Sequence, residues 1–274
     1  MPDSPIGDSP IAEIAPIYSS VVGRQGRSLL AWGLALAAIS AMYLGFYPSM
    51  GGDAMDDLVA DLPDEMVTAL GYDTIGTAGG WVTSTVYGLL GPALLLIFVI
   101  GIGARLLAGE EEAGTLELEV TAPVSRSRVL AERLAAMVTF VLALVGVVTV
   151  VSWVLITALD MDVPIDRLLA GSAGLALLVL GFGTIAFAVG AVTGRRPQAI
   201  GIAAALAVAA FMFDALGPVV EVQWMSDVSP FYWYLGNDPL IDGFDVIGLI
   251  KLATISVLAV VAATVAFPRR DLNV

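Results

Sequence analysis

The sequence predicts an all-α integral membrane protein with six transmembrane helices and both termini on the cytoplasmic side. Three observations carry this prediction. Of the 274 residues, 58% are hydrophobic and only 14% charged. The apolar residues gather into six stretches of about 20 residues, the length a helix needs to cross a bilayer core. Ten of the twelve Lys and Arg residues fall on one side of the topology that six crossings impose, which marks that side as cytoplasmic. The same composition removes whole classes of chemistry. Neither cysteine nor histidine occurs, so disulfide frameworks, thiol nucleophiles, imidazole bases and Cys/His metal sites are excluded. A formal net charge of −14, from 26 acids against 12 bases, argues against a nucleic-acid partner, because phosphate neutralisation needs a basic surface.

In chain order, residues 1–28 form a cytoplasmic or interfacial segment. Residues 1–17 have neither a basic n-region nor an apolar h-region, so the first span is expected to act as the insertion signal. Mixed apolar and polar residues over 10–27 predict a helix lying on the inner membrane surface, with Pro16 interrupting any long helix there. Span one covers 29–47. The outer acidic loop, 48–85, carries Met55, Leu58, Val59, Leu62, Met66 and Leu70 at helical spacing among aspartates. That pattern predicts one or two short amphipathic helices over the helix ends, the second started by Pro63.

Span two covers 86–108, and the cytoplasmic loop 109–133 follows it. Gly109 is expected to end the span, placing Glu110, Glu111 and Glu112 in the first turn of a new helix, where carboxylates suit the positive end of the dipole. Ser125 is placed to cap the helix that leads through Arg126 into span three. Spans three and four, 134–159 and 168–192, are joined by a short acidic turn, and Arg195 and Arg196 precede span five, 198–220. An outer aromatic loop, 221–245, holds Trp224, Phe231, Tyr232, Trp233 and Tyr234, and span six, 246–267, completes one transmembrane domain over 1–274.

Sixteen of the 26 acids lie outside in this topology, so the whole net charge faces outward. Such a face would concentrate cationic substrates. With seventeen Asp to nine Glu and Lys251 as the sole lysine, salt adaptation in a halophilic prokaryote is the simpler expectation, and with it a plasma-membrane location.

The loop 109–133 is the segment richest in function. Its acids and arginines either bind a soluble partner or pair with one another at the inner surface. The run Glu110-Glu111-Glu112-Ala113-Gly114-Thr115-Leu116-Glu117, followed by Ala122-Pro123-Val124-Ser125-Arg126, resembles the EE-x-GTLE…PVSR stretch of ABC-2 type ABC transporter permeases. The six spans, the sizeable first outer loop and the terminal Arg269-Arg270-Asp271-Leu272 are similar as well, so the resemblance extends over nearly the whole chain. Glu119-Val120 departs from it where relatives often carry two leucines.

The resemblance implies the ABC-2 exporter permease fold, two copies of an ABC ATP-binding subunit, and a second permease copy or paralogue. It also implies a coupling element that contacts the ATPase through Glu110, Glu111, Glu112, Gly114, Thr115, Leu116, Glu117, Pro123, Val124, Ser125 and Arg126. No cofactor is expected on this chain, ATP and Mg belonging to the partner ATPase. In keeping with that, the sequence has no G-x-x-x-x-G-K-[ST]. By the same resemblance, short helices of the outer aromatic loop dip into the membrane and help form an exit gate.

Within the spans, glycines such as Gly88, Gly91, Gly171, Gly174 and Gly181 are spaced for close helix packing. Asp214 and Lys251 are ionisable residues in the outer thirds of spans five and six. Pairing between them would brace those helices, although a wet cavity at Asp214 or snorkelling of Lys251 serves equally well. The expected protein is therefore not an enzyme but the permease subunit of an ATP-driven exporter, in contact with lipid. The alternatives are an ion-gradient-driven secondary transporter coupled through Asp214, or a permease-like assembly or sensor subunit. Glutamate-based intramembrane proteolysis fails because the chain lacks histidine.

Overall fold

In a bilayer, every backbone N–H and C=O must find its partner within the protein, and helices meet that demand segment by segment. The computed structural model describes residues 15–63, 66–68, 72, 74–112 and 125–267, and every regular element among them is helical. Six helices are long and apolar enough to cross a membrane: Pro16–Met50, Ala78–Gly109, Ser127–Ala158, Ile165–Thr193, Arg196–Leu216 and Val246–Ala266. They are numbered here as spans one to six, and each contains or overlaps one of the stretches expected from the sequence. The chain is a multi-pass membrane protein.

Three local expectations are corrected. Pro16 starts a helix instead of interrupting one: Pro16–Gly45 is continuous, with Pro16 in the first turn, where its missing N–H costs nothing. Residues 16–27 therefore prolong span one and form no separate surface helix, while 10–14 lie outside the described residues. Gly109 does not break span two. Helical backbone runs through Arg105–Gly109 into Glu110–Glu112, so the three glutamates continue the helix of span two and do not open a new one. Span two also begins earlier than expected, at Ala78, because the Thr77 hydroxyl accepts the Gly80 N–H at 3.0 Å and caps it. Other expectations hold. The Ser125 side chain accepts the Arg128 N–H and caps Arg126–Ala158, and the outer loop has the helix Asp53–Ala60 and a helical turn at 66–68 headed by the Pro63 carbonyl.

Span four is the hub. In its apolar stretch 72% of the residues are buried, against 22% for spans one, five and six. It packs on spans two, three, five and six, while span one lies mainly against span three. Spans five and six thus flank span four on different sides, and the apolar faces of the outer helices stay exposed, as lipid contact requires. The approach of span two to span four needs glycine: a Cβ on Gly103 would lie 2.5 Å from the Gly183 carbonyl.

Span two is not uniformly α-helical. Thr83–Leu90 is a π-helical stretch in which the Gly91 N–H bonds back to the Val86 carbonyl. The next donor in that register belongs to Pro92, which has no N–H, so the Tyr87 carbonyl loses its helical partner. The Tyr234 hydroxyl, from the short helix Pro230–Leu235, donates to that carbonyl at 3.1 Å. Tyr87 itself is fully buried, and its hydroxyl lies 2.9 Å from Ser172 Oγ, which also accepts from Thr149 Oγ1 at 2.7 Å. One polar cluster thereby joins spans two, three and four to the aromatic helix.

Two predictions follow from these contacts. Tyr234→Phe strands a buried carbonyl and should destabilise the protein by about 1–3 kcal/mol. In a Pro92→Ala background the restored N–H takes the vacant position, so the same change should cost much less; thermal unfolding of the four variants in detergent checks this. At the opposite side of the aromatic loop, Asp245 caps span six. The Gly248 N–H, then the Asn237 amide and the Ile247 N–H, hold its carboxyl below the ordinary value of 3.8. A carboxyl with a lowered folded pKa contributes stability that is complete above the ordinary value and is lost as pH falls through the lowered one. Asp245→Asn should therefore flatten the fall in unfolding temperature as pH drops below about 4.

Candidate functional site

Two regions hold the side chains that matter, one at each end of the groove between spans two and five. At the arginine-rich end, the carboxylates of Glu110 and Glu112 would be unfavourable in a membrane setting on their own. Each is compensated. Glu110 pairs with Arg133 of span three and, at 3.2 Å, with Arg24 of span one. The Arg133 side chain is completely buried, and its guanidinium also donates to the Leu106 carbonyl. Glu112 Oε1 accepts the backbone N–H of Arg196, the first residue of the span-five helix, at 3.0 Å. A third carboxylate works alongside: Glu132 Oε2 accepts the N–H groups of Ile17 and Tyr18 at 2.9 and 3.0 Å, capping span one, while Oε1 takes Arg128 Nε at 2.8 Å. Three acids therefore fasten spans one, two, three and five together at one level.

Of the residues expected in a coupling element, Glu110, Glu111 and Glu112 continue the helix of span two, and Ser125 and Arg126 open span three. Gly114, Thr115, Leu116, Glu117, Pro123 and Val124 lie outside the described residues. The carboxylate of Glu110 is engaged within the chain. Arg24, Glu132 and Arg133 were not singled out from the sequence, yet a signal for Arg133 was there: Val129, Leu130, Arg133, Ala136, Met137 and Phe140 recur at helical spacing and are all buried.

Toward the other end, spans two and five form an open groove of about 460 Å³. Its lining is wholly apolar, with Leu96, Ile97 and Ile100 on one side and Ala204, Ala207 and Val208 on the other. Phe211 and Phe231 close it, their rings edge to face at 5.5 Å. Phe231 is held there because Ser229 caps its helix and donates Oγ to the Ala210 carbonyl of span five at 2.8 Å. Tyr232, by contrast, is exposed, so the aromatic run divides between an inward and an outward face. Beyond the phenylalanines a second cavity of about 220 Å³ shares Gly88, Leu89 and Phe211 and adds Thr83, Ser84, Asp214 and Asp238. An apolar groove thus opens into a mouth that carries two acids, Asp214 and Asp238. Cavities of the groove's size and apolar character suit drug-sized ligands.

The expected brace between Asp214 and Lys251 does not form. Span four stands between spans five and six, and Lys251 Nζ lies 5.4 Å from the centroid of the Trp233 ring. Asp214 instead lines the mouth.

A family model described as "Multidrug efflux system permease Rv1217c, C-terminal domain" matches residues 21–268, which is all but the two ends of the chain. No curated protein matches it.

The Glu110–Arg133 pair generates a prediction. Glu110→Leu takes its carboxylate from the completely buried Arg133 side chain and should cost about 3–5 kcal/mol, Arg133→Met should cost less because Glu110 keeps Arg24, and the double substitution should recover most of the larger loss. Unfolding temperatures of the three variants, measured in one detergent, decide it.

Proposed function

Since this chain belongs to the multidrug efflux system permease family, we propose that it is the membrane-spanning permease subunit of an ATP-driven exporter of the ABC-2 type. In this reading the arginine-rich end is cytoplasmic, both termini are inside, and the chain pairs with a second permease copy or paralogue. Two ABC ATP-binding subunits hold ATP and Mg and act on the coupling loop 109–133. The membrane is the plasma membrane of a prokaryote, and the groove between spans two and five is the path of the substrate.

The observation that carries the reading is where the loop is anchored. Its first acids fasten to both walls of the groove: Glu110 continues span two, and Glu112 holds the first N–H of span five. A push delivered to the segment between Glu112 and Ser125 reaches both walls at once, and through Arg133 and Arg24 reaches spans three and one as well. The π-helical turn Arg105–Gly109 is the compliant element through which the end of span two can shift without disturbing Gly91–Ala104 above it. An apolar groove binds its ligand by area and shape and discriminates weakly, which suits an exporter of varied lipophilic compounds.

Purification from the native membrane, with mass spectrometry of co-purifying proteins and an ATPase assay, tests this. An ATP-binding subunit should co-purify, and Glu111→Lys/Glu112→Lys should cut its recovery or the ligand-stimulated ATPase by about tenfold, the order expected when a docking contact of about 1.4 kcal/mol is lost. A stable complex without ATPase overturns the reading. Asp214 at the groove mouth favours an ion-gradient-driven carrier in that event, and uptake that collapses with the ion gradient would identify it.

A further inference from the structure

Asp214 is the anomaly of the groove. It lies one helical turn beyond Phe211, about 4.5 Å further along the axis, and both residues line the mouth. Among the described residues no hydrogen bond or salt bridge reaches its carboxylate, whereas Glu110, Glu112 and Glu132 at the other end each have a named partner. The one basic residue of span six, Lys251, lies over the Trp233 ring, with span four between it and the groove. Asp238 lines the same mouth and adds negative charge to it. A carboxylate kept without a cationic partner beside an apolar cavity is costly in a membrane setting, and such residues mark the pathway of a ligand.

We propose that the groove and its mouth together recognise amphipathic cations, the apolar body lying between spans two and five and the positive centre meeting Asp214. This deepens the reading of the groove as the substrate path and rests on it. The geometry is complementary on both counts. The 460 Å³ groove offers apolar area to the body, and Asp214 stands just past the two phenylalanines that close it. The rings of Phe211 and Phe231 at that boundary present π faces and edges that tolerate a cation moving past them. An anion of the same shape would meet repulsion at the mouth, and a neutral one would forgo the charge pairing.

The test is binding without nucleotide, so that it stands apart from the question of ATP coupling. Protein in nanodiscs of zwitterionic phosphatidylcholine is dialysed against tetraphenylphosphonium, its anionic isostere tetraphenylborate, or neutral triphenylphosphine oxide, with empty nanodiscs subtracted. Tetraphenylphosphonium should bind about tenfold more tightly than the neutral compound, and tetraphenylborate least, as expected for about 1.4 kcal/mol of charge discrimination. Asp214→Asn should bring the cation down to the neutral compound's affinity while leaving the neutral compound unchanged, which also certifies that the variant is folded. Asp214→Glu should keep the preference, and Ala207→Trp should exclude both ligands. If cation and neutral compound bind alike and Asp214→Asn alters neither, the cation proposal falls and the groove reading stands. If no probe binds, or Ala207→Trp excludes none, both fall.

Discussion

Helix packing in lipid lacks the hydrophobic driving force that assembles a soluble core, because the surrounding tails are as apolar as leucine. Everything in this bundle therefore depends on how closely helices can approach span four. Gly103 of span two resting against the Gly183 carbonyl is the tightest statement of that constraint. Close backbone approach turns many small dispersion contacts into one cohesive interface. It also fixes the position of span two, and span two carries one wall of the groove, the buried tyrosine cluster and the glutamates that continue it. Were span two held further out, the groove would widen and the Tyr234 hydroxyl could not reach the Tyr87 carbonyl.

Polar groups inside this apolar frame are placed according to cost. At the arginine-rich end a completely buried guanidinium is acceptable because Glu110 and a backbone carbonyl surround it. In the middle, Tyr87, Ser172 and Thr149 satisfy one another. The departure is Asp214, which lines the second cavity beyond Phe211. Glu110, Glu112 and Glu132 each have a named partner within the chain, whereas Asp214 faces a cavity.

The six crossings were legible because a period of apolar residues about 20 long has one stable outcome in a bilayer. Boundaries were less legible, since Pro16 and Gly109 have two readings each. Proline halts a helix that precedes it but starts one that follows, and the choice fell to Glu132, whose carboxylate arrives from 115 residues away to cap Ile17. Glycine at a helix end permits a break without requiring one; the pull of Arg24 and Arg133 on Glu110 kept the helix going. The acids Glu110, Glu112 and Asp214 stood out as residues, but their partners did not. Which helix neighbours which is not written in any local pattern, so the Asp214–Lys251 brace looked reasonable until span four proved to lie between. The groove was invisible for the same reason: its two walls are a hundred residues apart and individually look like ordinary spans.

Span two combines a rigid middle with two yielding ends, and this arrangement connects the two regions described above. Gly91–Ala104 is regular α-helix and forms the groove wall, while Thr83–Leu90 and Arg105–Gly109 are π-helical. A π turn is wider than an α turn and holds its hydrogen bonds less favourably, so a change of register there costs less than in the middle. At one end the wide turn is secured by Tyr234, and at the other by Arg133 and Glu110. In the proposed reading, force entering beside Glu112 would tilt the middle as a unit, because the bonds that must rearrange are the few at the two π turns and not the ladder between them. Movement at the mouth then changes how far Phe211 and Phe231 stand apart, and with it whether a ligand in the groove has access to Asp214.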